Sequence, residues 1–153
     1  MSYVQRVLQP NETLLYTTKL HWLVYGRAIL LLLLAVLAAG LAGQIEGAAA
    51  FALWAVAGGL AVIAILDGIA AALKRATTEL AVTDHRVIYK RGIIGRYTIE
   101  MSRSKVESVD VVQGFLGRIF DYGTILVRGT GGSLEPFRNV EAPLRLRSAI
   151  IAQ

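Results

Sequence analysis

The chain contains no cysteine, which excludes a disulfide framework, a thiolate zinc site and a catalytic thiol. Histidine is nearly as scarce: His21 and His85 are the two copies in 153 residues, so imidazole chemistry has two positions to choose from. Charge is thin as well. Charged residues make up 18% of the chain, against roughly 25% in ordinary globular domains, while 55% is hydrophobic. The shortage is local: from Ala28 to Leu73, 46 positions hold no Lys or Arg, and Glu46 and Asp67 are their only acids. A nucleic-acid-type basic block is also missing. The net charge of +5 divides into +2 over residues 1–75 (five basic, three acidic) and +3 over residues 76–153 (eleven basic, eight acidic), so neither part carries a concentrated cationic surface.

A bilayer core about 30 Å thick takes roughly 20 apolar residues to cross as a helix, and two such runs are present. The first extends from Ala28 to Ile45, lengthened upstream by Trp22 to Tyr25, and the second from Gly47 to Leu66. Gln44 to Gly47 can form only a tight turn, which predicts a two-helix transmembrane hairpin over residues 23–73. Arg6, Lys19 and Arg27 precede it, Lys74 and Arg75 follow it, and the turn has no cation. The positive-inside rule therefore places both termini in the cytoplasm, on a multi-pass protein of the cytoplasmic membrane. His21, Trp22 and Tyr25 fit an interfacial belt. A secretory signal ending near Leu41-Ala42-Gly43 is the competing reading, but 27 residues precede the apolar run, they look strand-like, and a second span follows at once. Two pairs, Ala39 with Gly43 and Ala55 with Gly59, have the small-xxx-small spacing that lets helices approach closely, either within the hairpin or between protomers. Asp67 is costly inside a span and is by default a functional candidate. Counted from the turn, Arg27 lies 18 residues back from Ile45 and Asp67 22 forward, within about 6 Å in depth. The two are expected to pair near the cytoplasmic interface; a proton or ion pathway would call for a second buried acid or His.

Beyond Arg75 the period changes to two, with β-branched residues between turn signals. Thr77–Thr83 and Arg86–Arg91 read as a hairpin turning at Asp84 and His85, Arg96–Met101 as a third strand and Val106–Val112 as a fourth. Residues 113–123 form a crossing with a helical turn. Thr124–Arg128 and Leu134–Arg138 make a last hairpin, and a closing helix follows, with Pro143 in its first turn. In the N-terminal segment, residues 1–22, Leu14–Trp22 is extended enough to add a strand. The fold class expected is thus a membrane helical hairpin plus a small, mainly-β (α+β) cytoplasmic domain over residues 76–153, a curved antiparallel sheet or partly open barrel capped by a C-terminal helix.

Two blocks carry a family resemblance: T-E-L-A-V-T-D-H-R-V-I-Y-K-R-G from Thr78 to Gly92, and S-K-V-E-S-V-D-V-V-Q-G-F-L-G-R-I-F-D-Y-G-T from Ser104 to Thr124. Together with the hairpin they resemble the bacterial pleckstrin-homology-like (PH domain) membrane proteins of the YdbS and YdbT type, over most of the chain. The resemblance implies a PH-like barrel on the cytoplasmic face. It implies no enzymatic activity.

The residues themselves point away from catalysis too. Asp84 and His85 are chain neighbours in a turn, where Asp is explained by turn chemistry. Gly129-Thr130-Gly131-Gly132 lacks the Lys-Ser/Thr of a phosphate loop and has strand-like flanks, so a hairpin loop is the simpler reading. No enzyme, cofactor or metal site is therefore expected. The candidate anionic-headgroup contacts are Arg86, Lys90, Arg91, Arg96, Arg103 and Lys105, close in sequence to Lys74 and Arg75, because cations near an anionic leaflet contribute about 1 kcal/mol each. They do not form the tight loop motif of phosphoinositide readers. The function expected is a membrane-anchored interaction module that binds protein partners, at a sheet edge or beside the closing helix, and anionic lipid headgroups. A self-assembling scaffold, or an accessory subunit of a membrane transport or stress complex, is the alternative.

Overall fold

The computed structural model describes residues 7–92, 95, 97–130 and 134–152. The chain divides into two compact units: Met1–His21 together with Lys74–Gln153, and Trp22–Leu73. The apolar unit is therefore an insertion within the barrel domain. A fragment starting at residue 76 would lack the first strand of that domain.

In the apolar unit a 3-10 turn, Trp22–Tyr25, leads into α1 (Gly26–Ala42), and α2 (Ala48–Thr77) follows the turn. The 3-10 turn and α1 taken together, Trp22–Ala42, and α2 are each long and apolar enough to cross a membrane. Their fully buried positions are alanines seven residues apart, Ala35 and Ala42 in α1 and Ala57, Ala64 and Ala71 in α2. A 3.5-residue period keeps one narrow stripe facing the partner helix, and a methyl at each buried position allows close approach. Gly68 shows the contact directly, since a Cβ built there would sit 3.8 Å from the Ala28 Cβ. The seam is thus set by heptads. Ala39 is half-buried, whereas Gly43, Ala55 and Gly59 are exposed.

Among the described residues the barrel domain has seven strands in two antiparallel sheets. The first has the order β1 (Leu14–Thr18), β2 (Glu79–Thr83), β3 (Arg86–Arg91), β4 (Tyr97–Ser102); the second has β5 (Val106–Val112), β6 (Tyr122–Gly129), β7 (Leu134–Glu141). A short helix, α3 (Phe115–Ile119), joins β5 to β6, and α4 (Pro143–Ile151) closes the domain. Alternate residues from both sheets and one face of α4 meet in the core: Leu80, Val82, Val87, Val109, Ile125, Val127, Phe137, Val140, Leu146 and Ile150. Tyr89 and Phe137, 4.5 Å apart between ring centroids, link the sheets. The observed elements follow the period-two reading closely; the main shift is that α2 runs on to Thr77, which moves the start of β2 to Glu79.

The N-terminal segment joins the two sheets. β1 pairs with β2, and the next residues turn to the second sheet: Leu20 bridges Val140, the Glu141 N–H donates to the Lys19 carbonyl at 3.3 Å, and the His21 N–H donates to the Asn139 carbonyl at 2.8 Å. Asn139, with φ of 57°, sits where the β6–β7 register slips, a left-handed conformation that Asn tolerates. His21 is buried and stacks on Tyr122 at 5.2 Å, which replaces its expected place in an interfacial belt. Thr18 opposes Leu80, Glu79 opposes Lys90, and Tyr122 opposes Glu141. The points where the chain leaves at His21 and returns before Glu79 thus share one end of the barrel.

The Q-x-x-x-G and Y-G spacing of the second sequence block has a packing cause. The Gln113 side-chain amide donates to the carbonyls of Gly117 (3.2 Å) and Tyr122 (3.1 Å), tying the α3 corner. A Cβ at Gly117 would lie 2.6 Å from the Tyr122 carbonyl oxygen, and one at Gly123 2.7 Å from the Gln113 Cγ. Gly123→Ala and Gly117→Ala should each destabilise the barrel by about 1–3 kcal/mol through overpacking, lowering its thermal midpoint by about 4–8 °C per kcal/mol for a domain this size. Gly58→Ala, which meets nothing within 4 Å, should leave that midpoint unchanged in a detergent thermal scan.

Candidate functional site

The turn from Thr83 to Arg86 places a charge cluster of the barrel. Glu12 reaches it from just before β1, and its side chain is only 3% exposed against 16% for Arg86. The guanidinium binds the carboxylate as a fork: Arg86 Nε donates to Glu12 Oε1 and Nη2 to Oε2, both at 2.8 Å. The Thr83 hydroxyl donates to Oε1 at 2.7 Å and the Gln9 N–H to Oε2 at 2.9 Å. Arg86 Nη1 donates to Glu100 Oε2 on β4 at 2.6 Å, and Nη2 also donates to the Val7 carbonyl. Four of the five N–H donors of Arg86, one of the candidate headgroup contacts, are thus engaged within the barrel.

Arg103 is also committed. In the turn between β4 and β5, its guanidinium donates to the carbonyls of Ile150 (3.3 Å), Asp84 (3.5 Å) and Ala152. It therefore caps the C-terminus of α4, where the orphan carbonyls and the negative end of the helix dipole favour a cation. Arg103, another candidate headgroup contact, thus serves the fold as well. Arg96 lies outside the described residues, as do Gly131 and Gly132 of the glycine-rich loop. Lys90 and Arg91 are at the end of β3 where the chain leaves for the hairpin, whereas Lys105 is beyond Ser102, which opposes Arg86 at the other end. Five residues of strand, about 16 Å, separate the two ends, so the described candidates do not form one patch.

Near Lys105 a cavity of about 620 Å³ is lined by Glu12, Arg86, Glu100, Met101 and Thr130 among others. A second, of about 640 Å³, runs between β5 and the end of α4, lined by Arg103, Val106, Ser108, Val109, Ile150 and Ile151. β5 pairs with β6 alone among the described residues, so its outer edge adjoins this groove. Sequence reasoning expected a groove beside the closing helix without being able to name its lining residues.

The turn dyad does make contact: His85 Nδ1 is 2.7 Å from Asp84 Oδ1. The same carboxylate oxygen accepts the Thr13 N–H at 3.1 Å, and the Asp84 N–H donates to the Thr13 carbonyl at 3.1 Å. His85 and these bonds hold the Asp84 carboxyl below its usual range. Its work is to fasten the start of β1 to the turn. In the apolar unit, Arg27 Nε approaches Asp67 Oδ2 at 2.9 Å, as the depth count anticipated. That oxygen has no aligned hydrogen bond, so the contact is ionic only.

Two antiparallel sheets closed by a C-terminal helix, with a two-helix apolar insertion, define a PH-like barrel. A family model described as Bacterial PH domain matches residues 23–153, and the chain belongs to that family. β1 lies outside the matched span. No curated protein and no solved structure matches the chain.

The Arg86 fork, helped by the Gln9 N–H and the Thr83 hydroxyl, outweighs burial and lowers the Glu12 pKa from 4.5 to about 2. A folded pKa below the unfolded one contributes stability that is fully present above the unfolded value and is lost as pH falls through the folded value. Acid unfolding should therefore show a stability loss between about pH 4.5 and pH 2 that Glu12→Gln flattens. Arg86→Ala, which removes two of the four donors to the Glu12 carboxylate, should cost about 1–3 kcal/mol at neutral pH, measured by denaturant titration of the full chain.

Proposed function

We propose that this protein is a non-enzymatic interaction module held at the cytoplasmic face of the membrane by its helical hairpin, with both termini in the cytoplasm. The observation that carries the reading is the hairpin surface. Its two helices bury alanines and turn Leu30, Leu33, Leu37, Phe51, Trp54, Val62 and Leu66 outward, an apolar exposure far beyond what water-facing monomers tolerate. A core helix of a soluble domain would bury those side chains. The absence of Lys and Arg from the turn, with Lys74 and Arg75 in the last turn of the second helix, supports the orientation.

The barrel is the binding part. The open edge of β5 beside the α4 groove suits an extended protein segment, which can add backbone hydrogen bonds to the edge and place alternate side chains in the groove. Lys74 and Arg91, at or near the end of the domain from which the chain enters the hairpin, are the cations proposed for anionic headgroups. The Arg27–Asp67 pair supports a structural role for Asp67 over a transport pathway. Self-assembly is the second reading, favoured by one feature: Ala55 and Gly59 are exposed on α2, away from the alanine seam.

The lack of native cysteine makes topology directly measurable. Glu46→Cys should react with an impermeant maleimide only from the outer side and Arg128→Cys only from the cytoplasmic side; same-side labelling would defeat the anchor reading. A photo-crosslinking residue in place of Glu107, which lines the β5 groove, should capture a discrete protein in native membranes while one in place of Arg138 should not. Equal capture at both would remove the β5 edge from the proposal. In native mass spectrometry from detergent, a fixed oligomer that Gly59→Leu dissociates would establish the scaffold instead.

A further inference from the structure

The β5–β6 corner is built with its apolar side chains outward. Val112 is 58% exposed, Phe115 80%, Leu116 55% and Ile119 60%. The residue that α3 buries is Gly117, which lies against the Tyr122 carbonyl with no room for a side chain, while the Gln113 amide ties the turn from inside. The corner is thus fixed to the barrel by a glycine, an amide and carbonyls. Its large side chains contribute nothing to the core, so burial within the fold does not account for them.

We propose that α3 is an interfacial wedge, with Phe115, Leu116 and Ile119 inserted into the headgroup and upper acyl region of a phospholipid bilayer. The inference rests on the membrane-anchor reading above. Three observations select lipid as the occupant. First, α3 contains no acid, and its one charged residue, Arg118, is exposed among the apolar side chains, where a long cationic side chain can extend to phosphates while its stem stays apolar. Second, the wedge lies at the tethered end of the barrel: Tyr122, three residues beyond Ile119, stacks on His21, the last residue before the chain enters the hairpin, and Arg75 donates to the Leu20 carbonyl at 3.0 Å where the chain returns. Third, Lys90 and Arg91 end a strand at that same end, opposite Glu79 and Tyr97. Acids share the region, Glu79, Asp121 and Glu141, but none belongs to α3. A short rigid turn with apolar side chains and a basic rim is the arrangement that binds in the plane of an interface. Insertion would give the barrel a third attachment beside its two covalent ones and restrict its tumbling above the membrane.

The test uses the full chain in vesicles of equal parts phosphatidylcholine and phosphatidylglycerol. Phe115→Cys, Val56→Cys and Arg128→Cys are each labelled with an environment-sensitive dye, with Ile119→Cys as a second wedge position. Val56 lies midway along the second apolar run, and Arg128 is exposed near the opposite end of β6. The expected result is a blue-shifted wedge probe, quenched several-fold more than the Arg128 probe by lipid carrying a shallow acyl-chain quencher, with the Val56 probe quenched by a deep one. If the wedge probes respond to aqueous iodide as strongly as Arg128 while Val56 stays lipid-quenched, the wedge is refuted and the anchor stands. A Val56 probe untouched by lipid quencher overturns both. Wedge probes shielded from iodide and from lipid alike would mean that protein covers the turn, a second copy or a partner, and would also overturn the assignment.

Discussion

The architecture depends on the backbone of residues 14–21. Its first half completes one sheet through β2, and its second half hydrogen-bonds to β7 in the other, so a single segment ties the two sheets along one side. The same segment constrains the insertion. Because Thr18 opposes Leu80, the 56 residues from Lys19 to Lys74 must return to a neighbouring strand, and strands pair at about 4.8 Å. Two antiparallel helices packed at about 8–10 Å meet that condition with short linkers, and small side chains on the seam bring their axes toward the lower end. The alanine heptads and the β1–β2 ladder therefore satisfy one closure requirement from two directions.

The Glu12–Arg86 fork works on that same segment. Glu12 lies two residues before β1, and its carboxylate is held by a guanidinium on the β2–β3 turn, so the pair pins the far end of the strand just as the His21 contacts pin the near end. Burying both charges costs solvation that a single hydrogen bond would not offset. The two oxygens of Glu12 accept four donors, and the third arm of Arg86 engages Glu100. The family match begins at residue 23, beyond β1, so the strand on which barrel closure depends is known from the structure and not from the match.

Local patterning exposed most of the fold and little of the side-chain chemistry. Strands such as Val106–Val112 and the Pro143 helix start are written in period, β-branching and a fixed φ, all properties of neighbouring residues. What a cation binds is not local. The acceptor of Arg86 is 74 residues upstream in the chain, the carbonyls capped by Arg103 are 47 and 49 residues downstream, and the ring against His21 belongs to Tyr122. A count of basic residues treated all six candidates alike, because residue type reports charge and says nothing of partner. The small-residue spacing was ambiguous for a related reason. In helices this rich in Ala and Gly many pairs are four apart, and the seven-residue repeat of buried alanines singles out the packed stripe only once both helices are considered together.

The glycine and glutamine spacing that carried the family resemblance belongs to construction as well. Gln113, Gly117 and Gly123 fit a tight corner, so their recurrence in a sequence marks the barrel and not a ligand. Function has to be sought where the structure leaves chemical potential unspent. At the far end of the barrel the charges of Glu12, Arg86 and Arg103 are satisfied internally. At the tethered end, apolar side chains on α3 project from a glycine-backed turn beside a cation. Between the two ends, the outer edge of β5 retains backbone groups that its partner strand does not use. An edge and an apolar turn ask for different occupants, since backbone groups require a polymer that can complete a ladder, while exposed Phe and Leu side chains require only an apolar phase. Because the two lie apart along the barrel, the proposed partner segment at the β5 edge and the proposed lipid contact at α3 would not compete.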